Sequence, residues 1–489
     1  MMSASSLLQL ALLIPLLAAA GVVLTGRHEN LREGVSLAAG TLLLAAVGNL
    51  YPVVMAGQVI EVLWLEVLPG LTLAFRVEPL GLIFALVASS LWIVTTLYAI
   101  GYMRGHGEQN QTRFFAFFAI SIAAVMGIAF AENLFTLFVF YELLTLCTYP
   151  LVTHAGTDKA REGGRLYLGI LLGTSVAFFL VAIIATWLLT GTLSFQPGGV
   201  FTDDTPAGLL SLLLVLYVFG VGKAAIMPFH RWLPAAMVAP TPVSALLHAV
   251  AVVKAGVFVL LKVCLLIFGL ETLREIPATQ WLLYLAGASI LLAAIVAMRQ
   301  ENLKKRLAYS TVSQLGYITL GALLATSAGV TGSAMHIVMH AFGKITLFFC
   351  AGAILVAAHK TEVGQLRGLG RQMPITMGAF LVASLCIIGI PPTGGTWSKW
   401  YLLLGTLEAG ELWLMGLLMV SSLLSIAYLL PIPLRAFFSG VEATDAGSTG
   451  VAVREAPWPS LLALGITATG CVLLLLFPDI IYQLIKAGI

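Results

Sequence analysis

Residues 217–257 read YVFGVGKAAIMPFHRWLPAAMVAPTPVSALLHAVAVVKAGV and place Lys223 and Lys254 in strongly apolar surroundings. Gly220 precedes Lys223 and Pro228 follows it, so a helix through this region is kinked or broken near the lysine. Interrupted helices at membrane depth expose backbone groups that line polar cavities. The stretch therefore predicts a broken transmembrane helix with a buried lysine, followed by a helix with Lys254 near its middle.

A second stretch of this kind is GIPPTGGTWSKW, residues 389–400. It lies in the apolar run 374–406, which is longer than the about 20 residues that a helix needs to span a bilayer. Pro391 and Pro392 are expected to break this run and to leave Lys399 near mid-depth. Two broken helices that each carry a lysine suggest an internal repeat.

The composition is that of a polytopic membrane protein. Hydrophobic residues make up 60% of the 489 residues and charged residues 10%, against about 45–50% and about 25% in soluble domains. The net charge of +3 gives no indication of nucleic-acid binding. The five cysteines lie in separate apolar runs without a CxxC or Cys/His cluster, so we expect buried thiols and no iron–sulfur, zinc or other cofactor.

Fourteen apolar runs between residues 5 and 477 are long enough to span a membrane. The first, residues 5–25, lacks a positive n-region and is interpreted as a helix rather than a signal peptide. Lys and Arg collect in alternate joints between the runs, and the opposite joints and the tail contain only Arg76, Arg274 and Lys486. By the positive-inside rule, both termini are expected on the outer side of the cell (inner) membrane.

Five lysines remain inside the apolar runs: Lys223, Lys254, Lys262, Lys344 and Lys399. Each costs about 2.5–3.5 kcal/mol at the centre of a membrane helix, so such residues face the bundle interior, pair or act. Burial disfavours the charged form of lysine, which makes proton exchange possible. Lys262 lies nearer the outer end of its run and is expected to snorkel to the interface.

Glu142 is the carboxylate expected to act with these lysines. It lies in the run ENLFTLFVFYELLTLCTYPLVTH, with no Lys or Arg nearby in sequence. Paired with a buried lysine, Glu142 can ionise and bias proton exchange. The alternative is a structural ion pair that only fixes helix register.

His336, His340 and Lys344 follow one another at four-residue intervals, which places them on one helix face. Titratable groups in a row along a buried face indicate a proton wire. The alternative is a polar stripe satisfied by Ser and Thr on neighbouring helices. His248 stands six residues before Lys254, about 240° around a helix, so the two are expected on opposite sides of one water-filled path.

The stretches ENLFTLFVFYELLTL, GKAAIMPFHRWLPAAMVAPTPVSALLHAVAVVKAGV, NLKKRLAYSTVSQLGY, HIVMHAFGKITLFF and GIPPTGGTWSKW together identify a resemblance. From about residue 112 to 435 the chain resembles the antiporter-like subunits shared by Mrp-type multisubunit Na+/H+ antiporters, respiratory complex I and membrane-bound hydrogenases.

The resemblance implies an all-α polytopic membrane protein of about fourteen helices, with two inverted five-helix repeats that each contain one broken helix. The implied divisions are helices 1–3 in residues 1–111, the repeats in 112–268 and 269–435, and a C-terminal loop and helix 14 in 436–489. It implies a proton or cation translocation path with these members: Glu142 and Lys223 as a pair, Lys254 as central relay, His336, His340 and Lys344 as its continuation, Lys399 in the second broken helix, and His248 as a histidine found in some members.

Length and motifs are most similar to the D subunit of Mrp-type antiporters, and Lys399 stands where one complex I subunit usually has Glu. The implied partners are other hydrophobic subunits, protons or Na+, and the lipid bilayer, with no nucleic acid. The implied activity is transport rather than catalysis. Two alternatives remain: a proton-pumping subunit of a complex I-like or hydrogenase-like redox complex, and a scaffold that does not transport.

Overall fold

The computed structural model describes residues 3–439 and 454–488, without the side chains of Leu247 and His248. Within these residues, ten helices are long and apolar enough to cross a membrane. The chain is thus a multi-pass helical membrane protein, as the composition predicts. The total of fourteen spans, the inverted repeats and the bounds of the four divisions remain predictions.

The N-terminal part contains a β-hairpin as well as helices. Its elements are α1 (Ala4–Leu24), α2 (Glu29–Gly48), α3 (Tyr51–Met55), β1 (Glu61–Leu68), β2 (Leu71–Arg76) and α4 (Pro79–Gly105). The strands pair antiparallel, and Gly70 turns between them with φ of +81°, a conformation that suits glycine. This hairpin, in a segment predicted only as an external joint, is an addition to the all-α fold expected from the sequence.

The middle of the chain contains the first broken helix. Its elements are α5 (Gln111–Ala129), α6 (Leu134–Val152), α7 (Asp158–Thr174), α8 (Leu180–Thr190), α9 (Ala207–Gly220), α10 (Trp232–Ala235), α11 (Thr241–Ala245), α12 (Val252–Val263) and α13 (Leu270–Glu275). After α9 the chain makes a single 3-10 turn at Gly222–Ala224, and Ala225 then has a left-handed φ of 54°. The break therefore lies at the lysine-bearing position that the sequence predicts.

The second broken helix lies in the remaining part. Its elements are α14 (Pro277–Met298), α15 (Leu303–Leu323), α16 (Ser327–Ala358), α17 (Pro374–Ile388), α18 (Gly395–Glu408), α19 (Leu412–Leu429), α20 (Pro431–Phe438), α21 (Trp458–Leu476) and α22 (Asp479–Gly488). Gly389 ends α17 with φ of +85°. A Cβ at Gly395 would lie 1.9 Å from the Cys386 carbonyl oxygen, so the two halves of the break are in close contact.

Burial separates central helices from peripheral ones. In the most apolar stretch of α4 and of α5, 78% of the residues are buried, and in that of α16 72% are buried. In α21 the share is only 28%. Helix α16 packs against α15, α17 and α18. A membrane helix that is apolar all round can face lipid, but α16 carries two histidines and a lysine that require protein partners. Its central position supplies them.

Candidate functional site

Lys223 is fully buried at the first helix break, where it is held by α6. Its Nζ donates to the Tyr141 carbonyl oxygen at 2.9 Å and to Thr145 Oγ1 at 2.5 Å, and it lies 3.2 Å from the centroid of the Tyr141 ring. The Lys223 backbone N–H donates to Tyr141 Oη at 3.2 Å. Tyr141 and Thr145 were not predicted from the sequence, although both flank Glu142 on one helix.

Glu142 lies beside this group, but within the described part of the chain it forms no hydrogen bond or ion pair. Among the described residues, neither of its carboxylate oxygens has a hydrogen-bond partner, and both are shielded from solvent. The ion pairs of the described residues do not include Glu142 with Lys223. The structure thus places the two residues in neighbouring elements, but Lys223 binds the backbone and hydroxyl of α6 instead of the carboxylate.

Lys254 and His340 are in direct contact across the α12–α16 interface. A hydrogen bond joins Lys254 Nζ to His340 Nδ1, and the two residues are 0% and 1% exposed. Two positive charges this close cannot both persist in a medium of low dielectric. One proton can therefore be shared between them.

His336 continues from His340 along α16. The two imidazole rings are stacked with their centroids 5.7 Å apart. The Nε2 of His336 is 3.0 Å from Gln314 Oε1, and its Nδ1 is 2.9 Å from Ser398 Oγ. His336 is therefore satisfied by polar side chains of α15 and α18, as the polar-stripe alternative requires, while it remains in line with His340.

Tyr317 lies between His336 and Lys399. Its ring stacks with that of His336 at 5.7 Å, and Lys399 Nζ is 4.7 Å from the Tyr317 ring centroid. The Lys399 ammonium donates to the Ile388 carbonyl oxygen and to Ser422 Oγ, both at 2.9 Å. A cavity of about 280 Å³ borders Tyr317, Lys399 and Ser422. The second helix break thus exposes a carbonyl to its lysine, and Tyr317, which sequence reasoning missed, connects that lysine to the histidines.

Lys344 has a set of partners separate from those of His336 and Lys399. Its Nζ donates to the Leu307 carbonyl oxygen at 3.2 Å and to Ser310 Oγ at 2.7 Å, and Ser310 Oγ accepts from Tyr428 Oη at 2.9 Å. The sequence interpretation routed protons from the histidines through Lys344 to Lys399. In the structure, His336 is the member of the α16 row that lies beside Lys399, because it contacts Ser398 next to that lysine.

Lys262 corrects one expectation. It does not snorkel: the residue is fully buried, its Nζ lies 2.9 Å from Glu78 Oε2 and it donates to the Ala131 carbonyl oxygen at 2.7 Å. Glu78 immediately precedes α4 and brings a carboxylate to the C-terminal end of α12. A largely buried carboxylate and a backbone carbonyl therefore hold the lysine inside the bundle.

His248 could not be compared with the prediction, because its side chain lies outside the described part of the structure. Its backbone belongs to a π-helical segment, Leu246–Val250, between α11 and α12. Within the described ranges, His, Cys, Asp and Glu side chains form no group of three or more that could hold a metal ion.

Comparison with known families agrees with this geometry. Residues 131–425 match the family model described as NADH:quinone oxidoreductase/Mrp antiporter, TM. The chain belongs to this family. Residues 64–115 also match the model of the complex I chain 5 N-terminus. The family match spans both broken helices and all the lysines described above, so the antiporter-like fold and the resemblance expected from the sequence are confirmed.

The curated relatives include subunits of quinone oxidoreductases and of a cation/proton antiporter. The chain is 34% identical over 376 residues to NADH-quinone oxidoreductase subunit N of Desulforudis audaxviator, which covers 76% of this chain and 74% of that protein. It is 34% identical to the A/B subunit of a probable K(+)/H(+) antiporter of Rhizobium meliloti over 81% of this chain but 39% of that protein. This antiporter-like chain thus spans less than half of the second relative.

Solved structures share the whole fold. A chain of the Mrp complex from Dietzia sp. DQ12-45-1b superposes with a TM-score of 0.87 at 23% identity, covering 100% of this chain and 97% of that one. A chain of the membrane-bound sulfane sulfur reductase, an archaeal respiratory membrane complex, superposes with a TM-score of 0.86 at 23% identity, covering 98% and 96%.

Proposed function

We propose that this chain is the proton-translocating component, similar to the D subunit, of an Mrp-type Na+/H+ antiporter. The observation that carries the proposal is the connected row of Lys254, His340, His336, Tyr317 and Lys399. Each member is buried, and each contacts the next. Buried ionisable residues in connected rows are the usual elements of proton relays in membrane proteins.

In this mechanism, charge near Glu142 controls the relay. Movement of Lys223 from Thr145 towards the unpaired Glu142 carboxylate changes the field at α12 and favours or disfavours a proton on Lys254. The proton passes to His340 and His336, and Lys399 exchanges it through the cavity beside Ser422. Lys344 contributes to the polar path beside the Lys254–His340 pair, and His248 is retained as a proposed member of the path.

The coupling ion and the partners follow from the chemistry of these residues. Lysine and histidine suit protons, whereas Na+ requires several oxygen ligands, which we assign to a neighbouring hydrophobic protein of the complex. The complex lies in the cell membrane, with both termini of this chain on the outer side, because the cationic joints belong inside. The similarity to a chain of the Dietzia Mrp complex over the full length supports this assembly.

A second candidate function is proton pumping within a redox-driven complex. It is favoured by the relative named NADH-quinone oxidoreductase subunit N, in which 74% of the protein is covered. Affinity purification of the native complex distinguishes the two: small hydrophobic antiporter subunits support the Mrp assignment, and iron–sulfur or quinone-binding subunits support the redox assignment.

The relay is tested by Lys399→Ala in the complex reconstituted into vesicles, with proton flux followed by a pH-sensitive dye. We expect flux to fall by at least about 100-fold, the contribution of a well-placed proton-transfer group. Lys486→Ala, at an exposed position on α22, is the control and should transport normally. Unchanged flux in Lys399→Ala would mean that the relay does not pass through this lysine.

A further inference from the structure

Six cationic side chains from four separate joints converge on one cavity. The cavity, of about 1040 Å³, is bordered by Lys159, Arg165, Arg231, Lys304, Lys305 and Lys360. Glu162 is the carboxylate in its lining. These cations belong to joints that the positive-inside rule assigns to the cytoplasmic side. Their convergence therefore creates a concentrated positive potential at a concave site rather than a dispersed charged surface.

Helix ends reinforce this potential. Helix α7 begins at Asp158 and α15 begins at Leu303, so both N-termini lie at the cavity. The N-terminus of a helix carries a partial positive charge that favours anions. Lys304 is already anchored, because its Nζ donates to the Ala239 carbonyl oxygen at 2.6 Å. The cation is thus held at the wall of the cavity.

Part of the lining of the same cavity is apolar. It contains Leu166, Met237, Val238, Ala351 and Leu355. Leu166 lies on α7, in a segment long and apolar enough to cross a membrane, and is 37% exposed, so the apolar part of the lining is open to the outside of the bundle. A ligand that fills this site needs an anionic group at the cations and hydrocarbon beside Leu166.

We infer that this cavity binds the headgroup of an anionic phospholipid from the cytoplasmic leaflet. The phosphodiester would lie among Arg165, Lys305 and the α15 N-terminus, and an acyl chain would follow Leu166 into the bilayer. Basic pockets between transmembrane helices on the cytoplasmic side suit such headgroups. A free phosphate shares the charge but leaves the apolar part of the lining without a partner.

The site is tested by native mass spectrometry of the full chain in detergent, titrated with phosphatidylglycerol or phosphatidylcholine. We expect the Arg165→Gln/Lys305→Gln variant to bind phosphatidylglycerol about tenfold more weakly than the unmodified chain. The control is Arg161→Gln/Arg371→Gln, which removes two exposed cations from outside the cavity lining. It should change the affinity by less than about twofold.

Three outcomes would overturn the assignment. Equal loss of phosphatidylglycerol in both double variants would show general surface attraction. Equal affinity of the unmodified chain for phosphatidylcholine would show that the anionic charge is not recognised. Displacement of phosphatidylglycerol by millimolar inorganic phosphate would identify a soluble anion as the ligand. Arg165→Gln and Lys305→Gln, made singly at exposed positions, provide folded variants if the double variant is unstable.

Discussion

Lys254 on α12 and His340 on α16 share a hydrogen bond between Nζ and Nδ1 in a site from which solvent is excluded. A lysine ammonium can donate to a neutral imidazole, or a neutral amine can accept from an imidazolium, but both groups cannot stay charged together. The pair therefore has two protonation arrangements of similar geometry. A proton that arrives on one side can leave from the other.

Replacing Lys254 by methionine is expected to abolish this exchange. Lys254→Met keeps most of the side-chain volume and removes the titratable nitrogen, so vesicle proton flux should fall by at least about 100-fold. The matched control is Lys486→Met at the exposed surface, and both variants should elute like the unmodified complex in gel filtration. Normal flux in Lys254→Met would exclude this lysine from the path.

The two helix breaks could be predicted because their causes are local. Pro228 follows Lys223, and Gly222 directly precedes that lysine. The Pro391–Pro392 pair precedes Lys399, with two glycines between the prolines and the lysine. Proline removes a backbone donor wherever the chain goes next. Lys223 and Lys399 are accordingly found at the breaks.

The partners of the buried charges could not be predicted in the same way. Lys254 and His340 are 86 residues apart, and Tyr317 reaches Lys399 only through the packing of α15 against α18. A helical pattern identifies the side chains that share a face but not the helix that covers it. For this reason the order of the contacts, with His336 rather than Lys344 near Lys399, could be seen only in the structure.

The β-hairpin was missed because its sequence lacks the usual strand pattern. Strand β1 reads EVLWLEVL, and only Val62 is buried in it. A half-buried strand alternates apolar and polar residues, but here apolar side chains such as Leu63 and Leu65 stay exposed. The Pro69–Gly70 pair was the available turn signal.

Gly256→Ala is expected to push α12 away from the first helix break. A Cβ at Gly256 would lie 2.3 Å from both the Ala224 nitrogen and the Lys223 carbonyl carbon, and backbone atoms cannot move aside. Overpacking of this kind lowers the free energy of unfolding by about 1–3 kcal/mol. Thermal denaturation in detergent measures the loss. Gly169→Ala in α7, with open space around the added carbon, should be neutral or slightly stabilising.

His154 is expected to make the stability depend on pH. Burial, together with the neighbouring Arg113, holds the pKa of His154 below its ordinary value of 6.5, although a hydrogen bond to the Gln109 carbonyl oxygen opposes the shift. The unfolded chain therefore binds the proton first. The contribution of His154 to stability is fully present above about pH 6.5 and declines as the pH falls towards the lower pKa of the folded state.

The measurement is the denaturation midpoint of the unmodified chain and of His154→Gln between pH 5 and 8. The difference between the two midpoints should narrow as the pH falls, because the variant has no histidine at position 154 to protonate. Gln58→Ala, at an exposed position, removes no titratable group, so its midpoint should keep a constant difference from that of the unmodified chain. A constant gap for His154→Gln would mean that this histidine does not titrate differently on folding.

The Lys262–Glu78 pair is expected to stabilise the packing of α12 against the start of α4. Lys262→Met leaves the Glu78 carboxylate, with a side chain only 15% exposed, without its cation, which costs about 3–5 kcal/mol for a buried pair. Adding Glu78→Gln removes the stranded charge, so the double variant should recover much of the loss in thermal denaturation. Glu271→Gln, at an exposed position, is the control and should denature normally. If Lys262→Met alone were as stable as the unmodified chain, the position of the lysine would not depend on this carboxylate.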